Sequence, residues 1–148
     1  MSPRNAKEQE MLNLVAPETQ ARWFARVRKE HQRETTEDYV ELIADLIDCH
    51  QEARASELAA RLGVAQSTVT KMLTRLQDNG YIKSEPYRSI FLTEKGRDLA
   101  KNCKWRHRVV LDFLIRLGVD PEVAEYDAEG IEHHVSQVTL EIMEKFKG

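Results

Sequence analysis

In the stretch Asp127-Ala128-Glu129-Gly130-Ile131-Glu132-His133-His134, the residues Glu129, Glu132 and His133 stand at i, i+3 and i+4. On a helix, those two carboxylates and one imidazole project from one face, which is half of a metal site. Oxygen-rich ligation with one or two imidazoles suits a hard or borderline divalent ion, and the lack of a thiolate argues against structural zinc or an iron–sulfur centre. The remaining donors have to come from elsewhere in the chain. Asp38 and Glu41, again at i and i+3, and His107, inside a long apolar pattern, offer them. A cation held by all six would tie three distant segments together. The competing reading makes the acids a solvated helix face and His107 a satisfied core residue.

These residues need elements to position them, and the clearest lies between the two donor groups. In Ala55–Leu62 a helix capped by Ser56 buries Leu58, Ala59 and Leu62, Gly63 permits a tight turn, and a second helix turns Val69, Met72, Leu73 and Leu76 inward. The start of that second helix offers Gln66, Ser67, Thr68, Thr70 and Lys71 outward, with Arg75 further along, as a recognition helix does toward a major groove. Asn79-Gly80 signals a turn, and Tyr81–Lys83 with Ser89–Leu92 read as two short strands. Together they predict a winged helix, with Arg88 at the wing tip able to reach a minor groove or a phosphate. Local charge agrees. Arg54 to Arg88 holds six bases against three acids, while Asp120 to Glu144 holds eight acids and no Lys or Arg, although the net charge is only -3.

The rest of the chain reads as helices around this unit. Residues 1–34 form an N-terminal extension, mobile to about Glu18 and then a short amphipathic helix over Ala21–Glu30 whose Trp23 and Val27 favour packing on the DNA-binding unit over reaching a phosphate backbone or a membrane surface. Thr35 caps a helix running to about His50 with Tyr39, Ile43, Leu46 and Ile47 inward. Residues 35–100 make the winged helix and 101–148 a helical dimerisation and metal-binding unit, joined by a linking helix over 96–117 that Thr93 caps. Asp120-Pro121 opens the next helix, and a last one carries Val138, Ile142 and Phe146. At 148 residues neither half buries a large core alone, so a homodimer is expected. Cys49 and Cys103 are far apart, lack CxxC spacing and read as reduced core residues. With no secretory signal, spanning apolar run or lipidation motif in this sequence, the expectation is a cytoplasmic, mainly α protein without a membrane partner.

A winged helix, a long linking helix and then Glu-Gly-Ile-Glu-His-His resembles the metal-dependent repressors of the diphtheria toxin repressor family, and more closely their manganese branch. Asp38-Tyr39-x-Glu41, Ser67-Thr68-Val69-Thr70-Lys71, Arg106-His107 and Asp127-x-Glu129-Gly130-Ile131-Glu132-His133-His134 carry the resemblance over roughly Thr36 to Phe146. It implies a two-metal site per subunit on Asp38, Glu41, His107, Glu129, Glu132 and His133, with His134 outside the set. In the iron-sensing branch, Met and Cys stand at the positions of Asp38 and Glu129, so harder oxygen ligands here favour Mn2+, with Fe2+, Co2+, Cd2+ or Zn2+ as substitutes in vitro. The function implied is a homodimeric repressor that binds a double-stranded DNA operator at manganese-uptake genes and is no enzyme. An iron-responsive repressor and a winged-helix regulator of an organic ligand are the alternatives. A two-metal hydrolase would use the same ligand types but leave the helix-turn-helix idle.

Overall fold

A computed structural model of the chain describes residues 14–85 and 88–148. Most of the stretch expected to be mobile, and Pro86-Tyr87 at the wing, lie outside the described residues. The fold is mainly α, in the order α1 (Pro17–His50), α2 (Ala55–Leu62), α3 (Gln66–Asp78), β1 (Ile82–Lys83), β2 (Phe91–Leu92), α4 (Glu94–Arg116), α5 (Pro121–Ile131), a 3-10 turn (Glu132–His134) and α6 (Gln137–Lys145).

Helix α1 corrects the expectation of two helices meeting at Thr35. It runs unbroken for 34 residues, roughly 50 Å at the α-helical rise. No Gly or Pro interrupts residues 18–50. The hydroxyls of Thr35 and Thr36 donate to the carbonyls of His31 and Gln32, each at 3.3 Å, so these threonines bond back into the preceding turn instead of starting a new helix. The N-terminal half of α1 extends past the core. Trp23 and Phe24 are 55% and 59% exposed and Val27 is exposed too, so in the single chain they do not pack on the winged helix as expected.

The C-terminal half of α1 supplies Tyr39, Val40, Ile43, Ala44 and Leu46 to the larger core, where they meet Leu58, Val69, Met72, Leu73, Leu76, Ile82, Ile90 and Ala100. Helix α2 starts at Ala55 without a side-chain cap, so Ser56 is not its cap. Gly63, at φ 67 and ψ 35, closes α2 in the left-handed region and releases the chain into α3. The wing is a short antiparallel pair with Ile82 opposite Leu92 and Lys83 opposite Phe91. The Ile90 N–H donates to the Ala53 carbonyl at 2.9 Å, sewing the wing to the α1–α2 connection. Thr93 caps α4 as expected, accepting from the Gly96 N–H at 3.1 Å.

Helix α4 enters both cores. Ala100 belongs to the first, while Val109 and Val110 join Ala128 and Leu140 in a second, of four buried residues among those described. Cys103 is buried between them, its thiol pushed up to about 12 by burial and then by the charge of Glu37. Cys49 is exposed in the last turn of α1, contrary to the core position expected for it.

Candidate metal centre and nucleic-acid interface

The acidic residues of α1 fall on one stripe because the helix is continuous. Glu30, Glu34 and Asp38 recur at i, i+4 and i+8, and Glu37 and Glu41 lie three residues after Glu34 and Asp38. This stripe packs toward α4 and the 3-10 turn. The turn itself is a departure from the expected helical register. Helix α5 ends at Ile131, and the tighter Glu132–His134 turn drives Glu132 and His133 inward, leaving Glu129 exposed on the last turn of α5.

Two imidazoles mark the centre. His107 on α4 has Nδ1 3.6 Å from Glu129 Oε1 and 3.4 Å from Glu132 Oε1, while its Nε2 meets Glu125 Oε1 at 3.0 Å. His133 has Nε2 3.2 Å from Asp38 Oδ1 and 3.9 Å from Glu132 Oε1. One carboxylate, Glu132, therefore faces both rings. Glu41 forms no ion pair with either imidazole among the described residues, but its charge reaches Glu132. Burial and then the charges of Glu129 and Asp45 raise the Glu41 carboxyl above its ordinary value.

His133 is fixed from behind. Its Nδ1 meets the buried Glu37 carboxylate at 2.7 Å, Arg106 pairs with the same carboxylate oxygen, and Arg33 donates to the His133 carbonyl at 3.0 Å. Burial favours the neutral acid at Glu37, but the His133 hydrogen bond and the Arg106 charge outweigh it and hold the carboxyl below its usual range. Anchored through Nδ1–H, the ring directs Nε2 toward Asp38 and Glu132, the arrangement that orients metal-bound histidines.

These residues fit a divalent cation on the chemistry of what is left unsatisfied. Both carboxylate oxygens of Glu132 and Nδ1 of His107 are buried without a hydrogen-bond partner. A buried carboxylate in that state is costly unless a cation meets it. Burial, followed by the Glu41 charge, accordingly raises Glu132 to about 7.

Of the six expected ligands, the contacts link Asp38, His107, Glu129, Glu132 and His133 into one chain, with Glu41 coupled to it through charge. From the sequence, Glu37, Arg33 and Glu125 were given no part in the site, and Arg106 stood only in a motif behind the resemblance, without a role behind His133. The signal for Glu37 was the spacing of acids along α1, which cutting the helix at Thr35 conceals.

On the other side of the winged helix, Gln66, Ser67, Thr68, Thr70, Lys71 and Arg75 are all exposed along α3. The Thr70 hydroxyl donates to the Gln66 carbonyl at 3.0 Å, so it is left to accept rather than donate toward a partner. A groove beside α3 is lined by Gln66, Thr70, Thr74, Arg54 and Arg88. Arg88 projects from the wing and pairs with Glu85 at 3.0 Å, both side chains being exposed.

Fold and site together define a class, winged-helix proteins whose DNA-binding unit shares a carboxylate–imidazole cluster with a second, helical unit. Residues 31–90 match the iron dependent repressor N-terminal DNA binding domain, and residues 93–148 match the metal binding and dimerisation domain of the same family. The chain belongs to this iron-dependent repressor family, that of the diphtheria toxin repressor and MntR. It is 53% identical over 128 residues to the transcriptional regulator MntR of Salmonella typhimurium, covering 86% of this chain and 82% of that one. The MntR of Escherichia coli O157:H7 is 51% identical over 133 residues, covering 90% and 86%. Among solved structures, the manganese regulator SloR superimposes with a TM-score of 0.65 at 28% identity, and a manganese-dependent transcriptional repressor in complex with manganese with 0.66 at 27%. These cover 75% and 73% of this chain but 52% and 50% of theirs, so the chain spans about half the length of those structures. Among the described residues no helix is long and apolar enough to cross a membrane.

Proposed function

We propose that this protein is a manganese-responsive transcriptional repressor that binds operators of manganese-uptake genes as a homodimer, with two cation sites per chain built from Asp38, Glu41, His107, Glu129, Glu132 and His133. The observation that carries it is the buried Glu132 carboxylate, unpartnered and facing both the His107 and the His133 imidazole. A carboxylate that faces both imidazoles is a donor available to a cation held at either ring. Six oxygen and imidazole donors without thiolate or thioether favour a hard ion, which weighs against the iron-responsive reading. Glu125 also meets His107 and is close enough to serve in place of a ligand of that half of the site.

Bound cations would supply positive charge among carboxylates that otherwise repel one another. The residues do the rest. Asp38 and Glu41 ride on the helix whose apolar side forms the winged-helix core, Glu129, Glu132 and His133 belong to the helical unit, and His107 sits on the helix that enters both. Drawing these donors together fixes the winged helix against the dimerisation unit. A dimer reads two half-sites only when both recognition helices are held at the operator spacing, and the α3 residues Gln66, Ser67, Thr68, Thr70, Lys71 and Arg75 with Arg88 of the wing would then meet bases and phosphates.

Fluorescence anisotropy with a manganese-transporter promoter fragment tests this. Mn2+ should tighten binding over an EDTA control by about 5- to 150-fold, the usual range for coupled sites. Equal affinity in the two conditions would overturn the proposal.

A further inference from the structure

Outside the six proposed ligands, a second group of donors converges on the same 3-10 turn. His134 follows His133 in the chain and repeats its arrangement against α1, displaced toward the N-terminus of that helix. Its Nδ1 lies 3.2 Å from Glu30 Oε2 and its Nε2 2.9 Å from Glu34 Oε2. The His31 ring stands edge-on to it with centroids 5.3 Å apart. One donor atom each of His31, Glu34 and His134 lies within 4.8 Å of the others.

A neutral imidazole carries a single N–H, and an ionised carboxylate has no hydrogen to offer. Carboxylates stand at both ring nitrogens of His134, so a cation taken at one of them would leave the other as the N–H that a carboxylate accepts. Glu30 is the natural acceptor, because Arg26 already holds it at 2.8 Å and so fixes where it stands. The ring then turns Nε2 toward Glu34. This matches His133, whose Nδ1 is held by Glu37 while Nε2 faces Asp38. A carboxylate behind the ring and a carboxylate in front is how proteins orient a histidine toward a cation.

We infer that His31, Glu34 and His134, with Glu30 positioning the His134 ring, form a further cation site for a borderline divalent ion such as Zn2+ or Co2+. Two imidazoles and one carboxylate, with room for water or another ligand, form the donor set such ions take, whereas Mn2+ is held more weakly by nitrogen donors. Glu34 also converges with Asp38 and His133, so the site adjoins the six-ligand centre and shares its turn. An ion there fastens the N-terminal half of α1, whose Trp23, Phe24 and Val27 are otherwise exposed, to the turn that carries Glu132 and His133.

His31 is the residue to change, because it is exposed and is not one of the six ligands proposed for the first centre. Metal-free full-length protein, wild type and His31→Ala, is loaded with excess Zn2+ or Mn2+, desalted and assayed for bound metal per chain. Wild type should retain one more Zn2+ than the variant, with equal Mn2+ in both. Equal Zn2+ would overturn the inference, whatever the first centre binds. His31→Cys supplies a second reading with Co2+. A new near-ultraviolet thiolate-to-cobalt band over the wild-type spectrum supports direct ligation, and its absence counts against it.

Discussion

Glu132 and His133 hold protons more tightly than their side chains do in water. Burial and then the Glu41 charge take Glu132 to about 7, and His133 reaches about 10 because its hydrogen bonds to Asp38 and Glu37 outweigh the burial that opposes protonation. Both folded values lie above the unfolded ones, so the folded chain binds the extra protons. Their contribution to the metal-free fold is therefore full at low pH, and it falls as pH rises, first through Glu132 up to about 7 and then through His133 toward 10. Cation binding displaces those same protons and so strengthens as pH rises. The melting temperature with Mn2+ should thus exceed that with EDTA by a wider gap at pH 8 than at pH 6. A gap that does not change would mean Glu132 and His133 are not displaced by the ion. The buried Glu37 behind His133 gives a second test. Glu37→Gln keeps the shape but removes the charge that aligns Nδ1–H, and Mn2+ affinity should drop roughly 10- to 100-fold, measured by competition with a chelator, with the number of ions bound unchanged. Unaltered affinity would show that the ring needs no such anchor.

Among the elements, the winged helix was the most legible in the sequence, because its signals are local. The inward set Val69, Met72, Leu73 and Leu76, the glycine turn at Gly63 and the Thr93 cap all stand as the pattern predicts. Helix α1 was not. A threonine hydroxyl can cap a new helix or bond back to the turn before it, and only the tertiary packing of the stripe from Glu30 to Glu41 decides which. The metal ligands could be found from spacing and resemblance, but the residues that hold them could not, since Glu37 and Arg106 are 69 positions apart and meet only in the fold. Helix α4 also depends on one backbone approach that the sequence hides. A Cβ at Gly96 would lie 2.1 Å from the Tyr81 carbonyl oxygen and 3.1 Å from Leu92 Cδ2, and Tyr81 already accepts from the Thr93 N–H. Gly96→Ala must push the start of α4 away from the wing, which should cost on the order of 1–3 kcal/mol in urea unfolding. Wild-type stability in that variant would show that the approach is loose.

For the whole molecule the second core is the constraint. Among the described residues, Val109, Val110, Ala128 and Leu140 are its only buried apolar residues, with partly buried neighbours such as Trp105 and Met143 around them, a small core for holding α5 and α6 without further cover. On α6 Val138 and Ile142, spaced i and i+4, are 68% and 65% exposed, and Leu117, Val123 and Tyr126 are exposed on the neighbouring elements. Apolar side chains at helical spacing facing water are the mark of an interface, and residues 93–148 match a metal binding and dimerisation domain. Ile142→Glu puts a charge in the middle of this face and touches neither the winged helix nor the six ligands. Sedimentation should show the variant shifted from dimer to monomer. Each monomer still binds its ions, because every proposed ligand belongs to one chain, yet operator affinity should fall sharply, since a single recognition helix meets one half-site instead of two. A dimeric variant would move the interface off α6, and a monomer that binds the operator as wild type does would separate DNA recognition from dimerisation altogether.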